Sequence, residues 1–160
     1  MPIDSRPAIL REITGDTVNA VIALSVGEGQ GRFVAPNSVS LAQALFAPEA
    51  WYRAIHWGEE LVGFVMLEDQ SLRSPRPERP EIGVWRFMID ARFQGRGIGR
   101  AAMELIIAHA RSRGVFDRLL LSCVPGSDGP EGFYQALGFQ HTGDMEDGEV
   151  VMEYVLGEGR

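Results

Sequence analysis

Lysine is missing from this chain: all 15 basic residues among its 160 are arginine. A Walker A loop closes on a lysine, so phosphate binding of that type is excluded. Cysteine is reduced to Cys123 alone, which rules out an intramolecular disulfide and makes a reducing cytoplasm the natural setting. The three histidines, His56, His109 and His141, are dispersed without metal-site spacing, so no zinc or other metal is implied. No apolar run reaches membrane-spanning length, and neither a signal peptide nor a membrane partner is expected. Positive charge is also in deficit, with a formal charge of −7 and a pI near 5.0. That argues against a nucleic-acid partner, which would want a basic face, and is compatible with a cationic substrate.

What is present is ordinary for a globular protein: 45% hydrophobic and 23% charged residues, enough for one domain, residues 1–160, to fold around its own core. Hydrophobic periodicity predicts a strand over Ala8–Ile13. A helix then starts at Thr14-Gly15-Asp16 and runs to about Leu24, with Val18, Val21 and Ile22 on its apolar face. From Val26 to Pro36 the composition shifts to a flexible segment. A second helix spans Ser38–Phe46, with Ser38 or Ser40 as cap. Trp51–Trp57 and Leu61–Leu67 read as a hairpin around Gly58-Glu59-Glu60. A loop with three prolines follows, then a strand ending at Asp90. A helix from about Gly97 to Arg113, with Ile98, Ala102, Leu105, Ile106 and His109 on one face, stops at Gly114. A strand at Arg118–Val124, a helix at Glu131–Leu137, and two strands across an Asp147-Gly148 turn complete the chain.

The segment between the strand ending at Asp90 and the following helix is rich in glycine: Gln94-Gly95-Arg96-Gly97-Ile98-Gly99-Arg100. A strand, a glycine turn and a helix in that order bring free backbone N–H groups and a positive helix end to one point, a site for a pyrophosphate. Arg96 and Arg100 add charge beside it. Gly97-x-Gly99-x-x-Ala102 also satisfies a loose dinucleotide-binding pattern, and Asp117 lies twenty residues beyond Gly97. The ribose-binding acid of that pattern belongs after the second strand, however, and Asp117 precedes it. Too little chain remains to complete a doubly wound sheet.

Gln94-x-x-Gly97-x-Gly99 resembles the acetyl-coenzyme A motif of the GNAT N-acetyltransferases. Forty residues on, Gly132-Phe133-Tyr134-Gln135-Ala136-Leu137-Gly138-Phe139 resembles the second signature of that family. Trp85-Arg86-Phe87-Met88-Ile89-Asp90 and Asp147-Gly148-Glu149-Val150-Val151-Met152, among other stretches, look like the bacterial spermine/spermidine (diamine) acetyltransferase branch. The resemblance implies an α/β fold of GNAT type, a mixed central sheet of about seven strands with about four helices. It implies acetyl-CoA as co-substrate, and direct transfer to a small-molecule primary amine such as spermidine or spermine. It also allows a homodimer, although no residue specifies one.

By the same resemblance, Gln94, Gly95, Arg96, Gly97, Ile98, Gly99 and Arg100 hold the pyrophosphate, and the main chain of Phe87, Met88 and Ile89 runs beside the pantetheine arm. Phe133 belongs with these cofactor-binding residues. Ser127 stands where many relatives carry an asparagine that contacts the same arm. Tyr134 is the expected general acid for the departing thiolate. Glu28, Glu81 or a water chain is the candidate base, with Glu28 better viewed as a candidate ammonium-binding group. Cys123 reads as core rather than nucleophile, and Asp144, Glu146, Asp147 and Glu149 as a solvated turn that could also help attract polyamines electrostatically. Two rival functions stand beside this one: acetylation of another amine (an antibiotic, an amino acid or a peptide N-terminus), and a non-catalytic acyl-CoA sensor.

Overall fold

Residues 6–27, 36–126 and 129–157 are described by the computed structural model. Seven strands form one sheet: β1 (Ala8–Arg11), β2 (Ala50–Trp57), β3 (Glu60–Asp69), β4 (Ile82–Ile89), β5 (Arg118–Cys123), β6 (Gln140–Glu146) and β7 (Glu149–Val155). Four α-helices join them: α1 (Val18–Ala23), α2 (Asn37–Ala44), α3 (Ile98–Ser112) and α4 (Glu131–Leu137). The order across the sheet is β1-β2-β3-β4-β5-β7-β6. Every neighbouring pair is antiparallel except β4 and β5, which are parallel. A parallel pair requires a crossover, and α3 supplies it. The predicted element order and the mixed α/β sheet are both found.

Each face of the sheet carries its own core. On one, Val21 and Leu24 pack with Ala54, Phe64, Met66 and Met88. On the other, Ile98, Ala102, Met103, Ile106 and Ala110 of α3 pack with Val65, Leu67, Ile82, Leu119 and Leu121. The alternation along β5 shows why: Leu119, Leu121 and Cys123 are buried on the α3 face, and Arg118, Leu120 and Ser122 point the other way.

The helix starts depart from the sequence expectation. Residues Gly15–Thr17 form a turn, fastened where Thr14 N–H donates to Thr17 Oγ1 at 2.9 Å, and α1 begins only at Val18. Its buried side chain is Val21, Leu24 is buried just past its end, and Ile22 faces outward. Helix α2 opens on Asn37 after Pro36, without a side-chain cap. Ser40, expected as a cap, is wholly buried inside the helix. Asn37 is buried because its Nδ2 donates to the Val21 carbonyl at 2.9 Å, tying α2 to α1. Along α3 the buried stripe is wider than predicted and includes Met103, Ile107 and Ala110. His109 lies at its margin, stacked on Trp51 at 4.1 Å.

Candidate active site

The sheet opens in the middle. Strands β4 and β5 pair only over Ile82–Val84 and Leu119–Leu121. Against β3, Met66 opposes Arg86 while Leu67 opposes Val84, so Trp85 is one residue too many in the ladder. Such a bulge bends its strand and raises its local twist. Among the described residues, Trp85–Ile89 have no strand partner on the β5 side. On the opposite edge β4 is held tightly. A Cβ at Gly63 of β3 would collide with the Met88 carbonyl, so only glycine permits this approach.

Asp90 anchors the mouth of the opening. Its N–H donates to the Val62 carbonyl at 2.8 Å. Its carboxylate, almost wholly buried, accepts from Ser25 N–H at 3.0 Å and from Arg92 N–H and Nε at 3.0 and 2.8 Å. Burial alone would raise its pKa; the hydrogen bonds from Arg92 and Ser25 outweigh that and hold it below the usual value. Gln94 Nε2 donates to the Ile89 carbonyl at 2.9 Å, so the first residue of the glycine motif fastens the loop to the end of β4.

Gly95 and Gly97 have φ of 78° and 82°, where a side chain would be strained. Gly97 is the N-cap of α3 and offers no side-chain cap. The N–H groups of the first helical turn therefore point outward at the positive end of a 15-residue helix. Gln94, Gly95, Arg96 and Gly97 are exposed, Gly99 is half-buried and Ile98 is in the core. Arg100 lies along the helix surface with its Nε 3.4 Å from Glu104.

Helix α4 completes the opening on the α3 side. A Cβ at Gly99 would come within 3.4 Å of the Phe133 ring. Phe133 faces Phe87 of β4 at 6.2 Å between centroids, and Tyr134 meets Phe133 at 5.2 Å and Phe139 at 5.6 Å, both edge-on. Phe87, Ile89, Gly99, Phe133 and Tyr134, distant in sequence, are thereby neighbours. Tyr134 is buried, and burial, with a smaller effect of Cys123, raises its pKa well above that of a free phenol. It stays protonated at neutral pH. Cys123 is buried with its Sγ 3.9 Å from Met152 Sδ, and burial pushes its thiol up to about 11. A thiol so held is a poor nucleophile. Past β5, Glu131 of α4 accepts from Gly126 N–H at 3.0 Å.

Glu81 is not brought to this place. It precedes β4, at the end of the strand opposite to the glycine loop, and is engaged by Arg118 Nε and Nη2 at 3.1 and 2.9 Å. Glu28 and Ser127 lie outside the described residues. Sequence reasoning overlooked the other face of the opening. There, Ser122 Oγ of β5 donates to Glu149 Oε1 of β7 at 2.8 Å, and Arg86 lies opposite on β4. No local pattern announces that trio, because three separate strands contribute to it. Among the described residues no group of three or more His, Cys, Asp or Glu could hold a metal ion, and no helix is long and apolar enough to cross a membrane.

Residues 29–139 match the Acetyltransferase (GNAT) family. The chain is 28% identical over 151 residues to the spermine/spermidine N(1)-acetyltransferase of Bacillus subtilis strain 168, covering 89% of this chain and 95% of that protein. Among solved structures it is similar to the GNAT domain of S. lividans PAT, with a TM-score of 0.70, 21% identity, and coverage of 92% of this chain and 90% of that one. It is also similar to a GNAT family acetyltransferase from Elizabethkingia anophelis with acetyl-CoA bound, with a TM-score of 0.62, 15% identity, and coverage of 92% and 97%.

Proposed function

The chain belongs to the GNAT acetyltransferase family and is an acetyl-CoA-dependent N-acetyltransferase, and on that premise we propose that its acceptor is a polyamine such as spermidine or spermine. The observation that carries the transferase site is the opening between β4 and β5, with an uncapped helix end at its mouth and a protonated phenol on its wall.

These features fit acetyl-CoA. Residues Gln94–Arg100 would hold the pyrophosphate through the N–H groups at the start of α3, with Gly95 and Gly97 keeping side chains out of the way. The unpaired edge at Phe87, Met88 and Ile89 would take the pantetheine arm as an added strand, beside the Phe133 ring. Bound there, the donor supplies a thioester carbonyl open to attack. Tyr134, a phenol that is neutral near pH 7 whether buried or not, protonates the leaving thiolate. We leave Glu81 out of the reaction, since Arg118 occupies its carboxylate. Ser127 remains a candidate contact to the same arm and Glu28 a candidate for the acceptor ammonium.

The polyamine assignment rests on the printed activity of the 28%-identical relative and agrees with the net charge of −7. The reading takes residues 1–160 as one catalytic domain and, with a single cysteine, places it in a reducing cytoplasm. Coenzyme A release from acetyl-CoA over a panel of amines tests it. Turnover on spermidine and spermine in preference to amino acids, aminoglycosides and peptide N-termini is expected. Preference for another member would replace the acceptor.

A further inference from the structure

Acyl transfer to an amine needs an acid for the leaving group and a base for the nucleophile, placed on opposite sides of the thioester. The opening in this sheet has two faces, and Ser122 and Cys123, consecutive residues of β5, mark them. Cys123 points to the α3 face, into the core cluster that contains Tyr134. Ser122 points to the α1–α2 face, as neighbours along a strand must.

Three side chains converge on that second face. Ser122 pairs with Val151 of β7, so Glu149, two residues before Val151, lies diagonally across on the same face. The hydrogen bond of 2.8 Å from Ser122 Oγ to Glu149 Oε1 holds the carboxylate over the end of β5. From β4, Arg86 pairs with Met66, a member of the core on the α1–α2 face, and so projects to the same side. Its Nη1 donates to the Trp85 carbonyl at 2.8 Å, and its buried Nε has no partner among the described residues. Burial lowers the pKa of Arg86, and the negative charge of Glu149 across the opening partly restores it. The two do not touch: no ion pair joins them among the described residues. The Glu149 carboxylate is thus anchored beside the end of β5, and the Arg86 guanidinium lies on β4, beyond the stretch over which β4 and β5 pair.

We propose that Glu149, positioned by Ser122, receives the acceptor's ammonium group in this opening and removes its proton. The proposal rests on the transferase reading above and names the residue on the acceptor side of that same site. The ammonium gives one proton to the Glu149 carboxylate, which passes it to solvent. The freed amine nitrogen bonds to the acetyl carbon, and the carbon–sulfur bond breaks. The departing thiolate takes the phenolic proton of Tyr134, and the second proton lost by the attacking nitrogen restores the phenol. One amide, one thiol and one released proton result. Glu149 removes the need for Glu81, which lies at the far end of β4.

The test is steady-state turnover of Glu149→Gln and Ser122→Ala on whichever amine of the panel the native enzyme acetylates best, with acetyl-CoA affinity and thermal melting measured alongside. Glu149→Gln preserves shape and is expected to lower kcat/KM by about 10²–10⁴, the range for a missing general base, with melting and acetyl-CoA affinity unchanged. Ser122→Ala is expected to raise the amine KM several-fold while leaving kcat within about threefold, a division that mere loss of stability would not produce. Turnover of Glu149→Gln within threefold of native would overturn the proposal, as would a loss matched by weaker acetyl-CoA binding. Because the acceptor is chosen by the native enzyme, a best substrate other than a polyamine would end the polyamine assignment and leave the Glu149 test standing.

Discussion

Replacing Tyr134 by phenylalanine removes one oxygen from a residue whose ring is held by edge-on contacts to Phe133 and Phe139 at 5.2 and 5.6 Å. Those contacts need the ring and not the hydroxyl, and the hydroxyl makes no hydrogen bond to a described residue. Removing a hydroxyl that makes no such bond changes stability by at most about 1 kcal/mol, the typical net worth of one hydrogen bond. Melting of Tyr134→Phe should therefore stay within about 4 °C of native. The glycine loop and the edge of β4 are untouched, so acetyl-CoA affinity should stay within about twofold. What disappears, on the mechanism proposed above, is the proton source for the thiolate. General-acid catalysis of this kind is worth about 10²–10⁴, or some 3–5 kcal/mol at about 1.4 kcal/mol per tenfold. Coenzyme A release under saturating acetyl-CoA, calorimetric titration of acetyl-CoA and a melting curve measure the three quantities. Turnover within threefold of native would refute the assignment of Tyr134. So would a drop in turnover matched by equal losses in affinity or stability, which would make Tyr134 a packing residue only.

Gly97→Ala places a side chain at φ 82° in open space, so its cost is backbone strain of about 1–2 kcal/mol. A lower melting temperature together with weaker acetyl-CoA binding in titration is expected. Gly63→Ala meets the Met88 carbonyl and comes within 2.9 Å of the Ile89 side chain. Urea unfolding should show a loss of about 1–3 kcal/mol, as overpacking does, with turnover falling because the same strand bears the site. Asp90 has a folded pKa below its unfolded value, so its stabilisation is complete above the unfolded value and is lost as pH falls through the folded one. Melting followed from neutral pH into the acid range should therefore decline less steeply for Asp90→Asn than for the native protein, from a lower starting point.

The sequence by itself determined the elements and the loop. Glycines that recur at Gly95, Gly97 and Gly99 between an apolar strand and an amphipathic helix describe an anion site in purely local terms, and the αL values at Gly95 and Gly97 answer to that pattern. The strand–helix–strand order of β4, α3 and β5 was readable for the same reason, whereas their parallel pairing was seen only in the structure. Helix starts were less readable. Thr14, Asp16 and Ser40 are good capping residues, but α1 and α2 begin where packing of Val21 and Asn37 places them.

Only the tertiary structure decided where the site's two sides lie. The bulge at Trp85 depends on the register of β4 against β3, which no single strand encodes. Glu81 looked suitable as a base, yet it precedes β4, Met88 lies far along that strand, and Arg118 claims its charge. Glu149 looked like one acid among several in a solvated turn. It gained its position from β7 pairing with β5 rather than with its sequence neighbour alone, because side chains on adjacent strands of one face meet regardless of their distance along the chain.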